Sequence, residues 1–237
     1  MPTCIADALI LRTYRLGESD RLVVFLTRDR GKKRGVAKNA RQSRRRFGGA
    51  LEPMTYGRVS YVERERRDLV RLEYVELIRS PLSVGHSAAG REHVSGATGD
   101  GSPSAASRSD DATFGYVGYF AELLDEWAQE NDPNETLFRL GVSVLEALVV
   151  GVPVASLARY FEYWLLRLQG VYQPPAEVSM PAMAFLRTIR SSSPLALNGV
   201  VVSAGALAEL AADHRSQIEV HLEKGLKSIR VLHHLGA

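Results

Sequence analysis

The sequence predicts an α+β protein: an N-terminal five-stranded β-barrel followed by a mostly α-helical C-terminal domain. Three observations carry this. Residues 1–80 hold five short stretches rich in β-branched and aromatic residues, separated by turn residues. Beyond residue 113 the apolar spacing becomes that of amphipathic helices. The charge divides in the same place: residues 1–80 carry nineteen bases and ten acids, +9, whereas residues 81–237 carry eleven bases and seventeen acids, −6. A basic module joined to an acidic one follows. At 237 residues with 45% hydrophobic content the chain can bury a sizeable core.

The elements follow in order. Residues 5–14 are apolar apart from Asp7, Arg12 and Thr13, and form the first strand. Gly17, Glu18, Ser19 and Asp20 make a turn. Residues 21–27 (RLVVFLT) suit a buried strand. A short polar turn ending in Gly31 leads to a third strand over 33–38, with basic residues at its start. Residues 39–49 form a basic loop. Residues 54–62 and 69–78 are the fourth and fifth strands, joined by a charged turn over 63–68. Five short strands in about 80 residues with a basic face make an OB-fold candidate, an architecture used widely for single strands of nucleic acid.

Residues 81–113 read as a flexible insert or linker. The stretch 85–113 is rich in Ser, Ala, Gly and Asp and nearly free of large apolar side chains, so it buries too little surface to offset its ordering entropy. The helical domain then spans 114–237. Its first helix runs over 114–129. Asp132 as N-cap, Pro133 at the first position and Glu135 three residues on predict a second helix to Val150, closed by Gly151. A third runs over 154–169 with Gly170 as its stop. Shorter helices follow over 181–190 and 204–212, and a last one from about His214 to Leu235.

The most concentrated charge lies between Arg28 and Arg46. Ten bases (Arg28, Arg30, Lys32, Lys33, Arg34, Lys38, Arg41, Arg44, Arg45 and Arg46) face one acid, Asp29, giving +9 in nineteen residues of a chain whose net charge is +3. Interrupting glycines and Phe47, with strand-like flanks, mark it as a folded surface rather than a polar tail. Such a footprint suits a polyanion, nucleic acid first. Lys32, Lys33, Arg34, Lys38, Arg41, Arg44, Arg45 and Arg46 are the candidate phosphate contacts, because arginine forks match phosphate oxygens. Phe47 and Tyr56 are placed either to stack on bases or to anchor the barrel and its loop.

Catalytic patterns are missing. There is no GxSxG elbow, no GxxxxGK[ST] loop and no HExxH. The acids Glu63, Glu65, Asp68 and Glu73 alternate with Arg64, Arg66, Arg67 and Arg71, which favours self-paired turn charges over a magnesium site. Cys4 is the only cysteine, so neither an internal disulfide nor a cysteine-based zinc site is available. The six histidines find no ligand partners at metal spacing, and no metal or cofactor is expected. The start lacks a signal-peptide pattern and no apolar run reaches membrane-helix length, so a soluble cytoplasmic protein without a membrane role is expected. Arg139, Arg159 and Arg167 lie among apolar helical residues, either as ordinary surface arginines or as a pocket for an acidic peptide.

Several segments together resemble the RecO family. They are Arg12 through Val23 with its Gly17-Glu18-Ser19-Asp20 core, Gly31, Val36-Ala37-Lys38-Asn39-Ala40-Arg41, and Gly49-Ala50-Leu51-Glu52-Pro53-Met54. The helical part adds Arg159-Tyr160-Phe161-Glu162 through Gly170, and Lys227-Ser228-Ile229-Arg230-Val231-Leu232. The resemblance implies a bacterial DNA repair and recombination mediator with an N-terminal OB-fold, nucleoid-associated and without catalytic residues. It implies binding to single- and double-stranded DNA, annealing of complementary strands, and help in loading recombinase onto DNA coated with single-stranded-DNA-binding protein. The implied partners are the acidic C-terminal tail of that protein, RecR, and RecA indirectly. Two departures stand out. The four-cysteine zinc site of many members is missing from 171–203, so packing must hold that segment. The family glycine before the loop is Asn39, a residue that tolerates the left-handed backbone region. An RNA-binding OB-fold protein of translation or ribosome maturation uses the same surface and is the alternative reading.

Overall fold

The structure, a computed structural model, describes residues 3–63, 68–82 and 105–235. The turn residues Arg64, Arg66 and Arg67, most of the Ser/Gly-rich insert, and His86 and His93 lie outside the described residues.

The first five elements are strands: β1 Thr3–Leu16, β2 Asp20–Thr27, β3 Gly31–Ala37, β4 Tyr56–Val62 and β5 Leu69–Arg79. They close into a barrel in the order β1-β2-β3-β5-β4, with the β3–β5 pair parallel and the other neighbours antiparallel. This is the expected OB-fold barrel. Its interior is filled by Ala8, Ile10, Val23, Phe25, Ala37, Phe47, Leu51, Val59, Tyr61, Leu72 and Val75. Phe25 and Tyr61 meet edge to face at 5.7 Å.

Residues on the other face of β1 and β2 are equally buried. Leu9, Leu11, Val24 and Leu26 belong to the core of the helical region. Both faces of these two strands are therefore covered, which explains their near-continuous apolar sequence. Alternation alone would send Leu9 and Leu11 outward and Ile10 and Arg12 inward. A bulge between Ile10 and Arg12 breaks that phase. Leu11 and Arg12 both face the helices, and Thr13 returns to the inner face opposite Val23.

Six helices follow: α1 Ala105–Trp127, α2 Glu135–Val150, α3 Val154–Leu168, α4 Met180–Ser191, α5 Ala204–Leu222 and α6 Lys227–Leu235. A short 3₁₀ turn over Pro194–Leu197 separates α4 from α5. Three boundaries differ from the sequence reading. The first helix starts at Ala105, not residue 114, because 105–113 contains neither Gly nor Pro and extending a formed helix costs little. The N-cap of α2 is Asn134, whose side chain accepts from the Leu137 amide at 3.0 Å, not Asp132. Lys32 holds the preceding segment in β-like contact: its amide donates to Gln129 and its carbonyl accepts from Asn131, each at 3.1 Å. The third difference is that 204–222 forms one helix, broken at Glu223 in the left-handed region. His214 was read as a helix start; it sits buried in mid-helix, its Nδ1 3.1 Å from Glu162. Gly151 and Gly170 end α2 and α3 with positive φ as expected.

Close approach joins barrel to helices. Gly31 has φ +69, and a Cβ there would stand 2.4 Å from the Asp132 backbone. Gly141 on α2 leaves room for Leu9 of β1 and Leu124 of α1.

The charged part of the joint is organised by α1. Glu122, Asp125 and Glu126 share one helix face. Arg12 reaches all three, with ion-pair distances of 3.7, 2.6 and 3.4 Å. Lys32 meets Asp125 at 3.1 Å and Lys224 meets Glu126 at 2.5 Å. Glu122 also accepts from the Lys227 and Ser228 amides at 3.1 and 2.7 Å and from the Ser228 hydroxyl, so a side chain of α1 caps the N-terminus of α6. Burial pushes the Glu122 carboxyl up, but the Ser228 and Lys227 donors and Arg12 outweigh it, and the group titrates below its ordinary 4.5. Its stabilisation is thus complete above about pH 4.5 and is lost as pH falls through the lowered folded value. Glu122→Gln is expected to lower stability by about 1–2 kcal/mol at neutral pH and to flatten the acid limb, read from urea unfolding midpoints across a pH series.

Candidate nucleic-acid interface

The basic run divides into two halves with different fates. Its first five cations each face a carboxylate. Arg28 pairs with Glu135 at 2.6 Å, Arg30 with Asp29 at 3.7 Å, Lys32 with Asp125 at 3.1 Å, Lys33 with Glu63 at 2.7 Å and Arg34 with Glu130 at 3.9 Å. Lys33 also donates to the Asn131 side chain at 2.8 Å. β3 runs beside the end of α1 and the segment after it, and Lys32, Lys33 and Arg34 reach across to Asp125, Asn131 and Glu130. Lys32 and Lys33, expected as phosphate contacts, are largely covered and paired with carboxylates, whereas Arg34 stays exposed with a long pair to Glu130.

The last five, Lys38, Arg41, Arg44, Arg45 and Arg46, have no ion-pair partner among the described residues. They lie on the loop between β3 and β4, at the end of the barrel that also carries the β1–β2 turn. Backbone and side-chain bonds staple loop to turn. The Arg41 amide donates to the Ser19 carbonyl at 3.2 Å and its guanidinium to the Glu18 carbonyl at 2.9 Å. The Asn39 amide donates to Asp20 at 2.8 Å. Asn39 has φ 53, the left-handed conformation foreseen for it.

Within the loop, Arg46 is a strut. Its guanidinium donates to Ser43 Oγ and to the Lys38 carbonyl, both at 2.8 Å, and lies 5.0 Å from the centroid of the Phe47 ring. Phe47 is 1% exposed and sits in the barrel core. Tyr56 packs edge to face on Phe138 of α2 at 6.1 Å. Of the two roles open to these aromatics, burial makes Phe47 an anchor and rules out its stacking on a base, while half-buried Tyr56 packs on α2.

The exposed cations of the loop are Lys38, Arg41, Arg44 and Arg45, and beside them lie two the sequence did not single out, exposed Arg15 and half-buried Arg21. Arg15 and Arg21 are direct cross-strand partners, and Arg21 pairs in turn with Ala37 of β3. Like charges directly opposite destabilise a sheet, so this pair is a cost to the fold that a bound anion would offset. Tyr74, 42% exposed, was also missed. The amide of its neighbour Val75 donates to the Arg46 carbonyl at 3.0 Å, which puts Tyr74 beside the loop. Alternation from Val70 and Leu72 would turn Tyr74 inward. A register shift between Ser60 and Tyr61 in the β4–β5 pairing makes Val75 the inner residue and leaves Tyr74 outside.

The three helical arginines do not converge. Arg139 is exposed on α2. Arg159 is 6% exposed, bonded to Glu162 at 2.5 Å and to the Leu207 carbonyl at 3.3 Å. Burial opposes the Glu162 charge, yet Arg159, His214 and Tyr119 hold its carboxyl below the ordinary value. With Arg215, Leu207, Ile229 and Leu232, Arg159 lines a cavity of about 360 Å³ between α1, α3, α5 and α6. Arg167 opens onto a different cleft, against α4. Among the described residues no group of His, Cys, Asp and Glu is placed to hold a metal ion, and no helix is long and apolar enough to cross a membrane.

Comparison with known proteins identifies the lineage. The family description "Recombination protein O N terminal" matches residues 1–81, and "Recombination protein O C terminal" matches residues 108–176. The DNA repair protein RecO of Geobacter metallireducens is 33% identical over 203 residues, covering 84% of this chain and 73% of that protein. This chain belongs to the RecO family. Two further RecO proteins, of Koribacter versatilis and Anaeromyxobacter sp. strain K, are 40% and 38% identical over 165 and 163 residues. The matched segments span 58% and 55% of those two relatives' lengths.

The two kinds of loop arginine predict different stability effects. Arg46→Ala is expected to lower unfolding stability by about 1 kcal/mol, whereas Arg44→Ala and Arg45→Ala stay within about 0.5 kcal/mol of the parent, as read by urea denaturation.

Proposed function

We propose that this RecO-family chain binds DNA at the barrel end formed by the β1–β2 turn and the β3–β4 loop, and acts in DNA repair and recombination as a strand-annealing mediator. The observation that carries the reading is the division of the basic run. The half that meets the helices is neutralised, and the half on the loop is left uncompensated beside Arg15 and Arg21. Lys38, Arg41, Arg44 and Arg45 neutralise phosphates without reading sequence, and Tyr74 offers a ring to a base. A surface of this kind accepts two strands in succession and screens their mutual repulsion, which is what annealing requires. No catalytic step is assigned.

The same reading places the chain with DNA coated by single-stranded-DNA-binding protein, with RecR, and with RecA as the recombinase ultimately loaded, in the nucleoid-bearing cytoplasm of a bacterium. The acidic tail of the single-stranded-DNA-binding protein is assigned to the cavity lined by Arg159 and Arg215. Arg159 is already held by Glu162, so what suits the tail is the apolar wall of Leu207, Ile229 and Leu232 beside Arg215.

The test is the double variant Arg44→Glu/Arg45→Glu, which leaves the Arg46 strut in place. Single-strand affinity is expected to fall, and the log–log salt slope to shrink by about 0.7 for each lost phosphate contact. Unchanged affinity and slope would remove the site. Annealing of complementary strands coated with single-stranded-DNA-binding protein should fail in the same variant. Preference for RNA over DNA of equal length in competition would favour the translation-related alternative.

A further inference from the structure

The cleft to which Arg167 belongs has a different chemistry from the Arg159 cavity. It encloses about 590 Å³ between the C-terminal end of α3, the segment 170–175 and α4. Tyr163, Tyr172, Met183 and Leu186 form its floor, and Arg167, Arg187 and Arg190 form its rim. Arg187 and Arg190 are exposed one turn apart on α4, with Cβ atoms about 5–6 Å from each other by helix geometry. Arg167 donates to the Tyr163 hydroxyl at 3.2 Å, so its guanidinium is already oriented. None of the three arginines has an ion-pair partner among the described residues. Tyr172 meets Tyr163 edge to face at 4.8 Å and remains half-exposed. Its hydroxyl is pushed up to about 12, first by burial, with Tyr163 and Asp213 adding to the rise and Arg190 and Arg167 opposing it. Asp213 is itself engaged, accepting from Gln217 at 2.8 Å.

We propose that this cleft is a second contact for single-stranded nucleic acid, taking a short run of phosphodiester backbone on the arginine rim and a base against Tyr172. The proposal rests on the barrel end being the first strand site. Three arginines without a counter-charge are held together where the fold gains nothing from the repulsion. Guanidinium forks are suited to phosphate oxygens, and a half-exposed tyrosine beside them suits a base. The Arg159 cavity differs: Arg159 is buried and matched by Glu162, and much of the lining is alanine and leucine. With one strand at the barrel end and another at α4, a single chain holds two strands at once.

Titration of the full chain with a short fluorescent oligodeoxythymidine tests this. The parent is expected to bind two strands per chain, and Arg187→Glu/Arg190→Glu one. In that variant the salt slope of total binding should shrink by about 1.4, or 0.7 for each of two lost contacts, and annealing of bare complementary strands should be lost. Photo-crosslinking of a 5-iododeoxyuridine strand to the parent should mark Tyr172. A parent that binds one strand, or a double variant that still binds two, overturns the proposal. So does capture of an acidic peptide that depends on Arg187 and Arg190 while strand binding does not. Arg44→Glu/Arg45→Glu separates the two sites. If it also binds one strand, the barrel site stands whatever the fate of α4. If it still binds two, the barrel reading fails, and with it the two-site arrangement.

Discussion

A single arginine sets the relation between the two halves of this molecule. The bulge at Leu11 turns Arg12 from the barrel interior to the helix side, where it meets Glu122, Asp125 and Glu126 on one face of α1. Lys32 joins from β3 and Lys224 from the turn before α6, while Glu122 caps α6. A half-buried carboxylate cluster without its cations would be destabilising, so the charges favour the mutual arrangement of barrel, α1 and α6 that pairs them. The apolar contacts of Leu9, Leu11, Val24 and Leu26 with the helices supply the bulk of the attraction, and the charges fix its register.

That arrangement determines where free positive charge remains. At the joint Asp125 and Glu130 take Lys32 and Arg34 from the first half of the basic run, while Arg12 and Lys224 meet the other acids of α1. The β3–β4 loop lies at the other end of the strands, stapled to the β1–β2 turn and propped by Arg46 on Phe47, and meets no such acids. Its arginines stay in water, where contact with a phosphate chain costs little desolvation. The binding surface proposed for the barrel is what is left after the fold has used the charges it needs.

The helical region shows how packing holds a segment that carries no cysteine. The cysteine-free segment after α3 is held by Ala182, Phe185, Leu186 and Ile189 in the main core, by Trp164 donating to the Ile189 carbonyl at 3.0 Å, and by Ser179 bonded to Glu209. Packing of this kind leaves α4 free to present Arg187 and Arg190 beside Tyr172. Nearby, the buried Arg159, His214 and Tyr119 converge on Glu162 and tie α1, α3 and α5 together.

Much of this was legible in the residues. The five strands, the helical remainder, the glycine stops at Gly151 and Gly170 and the left-handed Asn39 all follow from local preferences, because period, β-branching and backbone freedom act over a few residues. So does the presence of a strong basic surface, since formal charge needs no fold to be counted. What local preferences cannot supply is which cation meets which acid and which face a side chain takes after a bulge. Lys32, Lys33, Phe47 and Tyr56 read as ligand contacts in sequence, yet acids 30 and 93 residues away, a ring of α2, or the barrel core engage them in the fold. Arg21 and Tyr74 went unnoticed because strand pairing sets Arg21 opposite Arg15 and a one-residue register shift exposes Tyr74. Sequence determined the barrel, the helices and the excess of positive charge; tertiary structure decided which charges stay free, since neutralisation depends on distances of a few ångströms that only the packed chain sets.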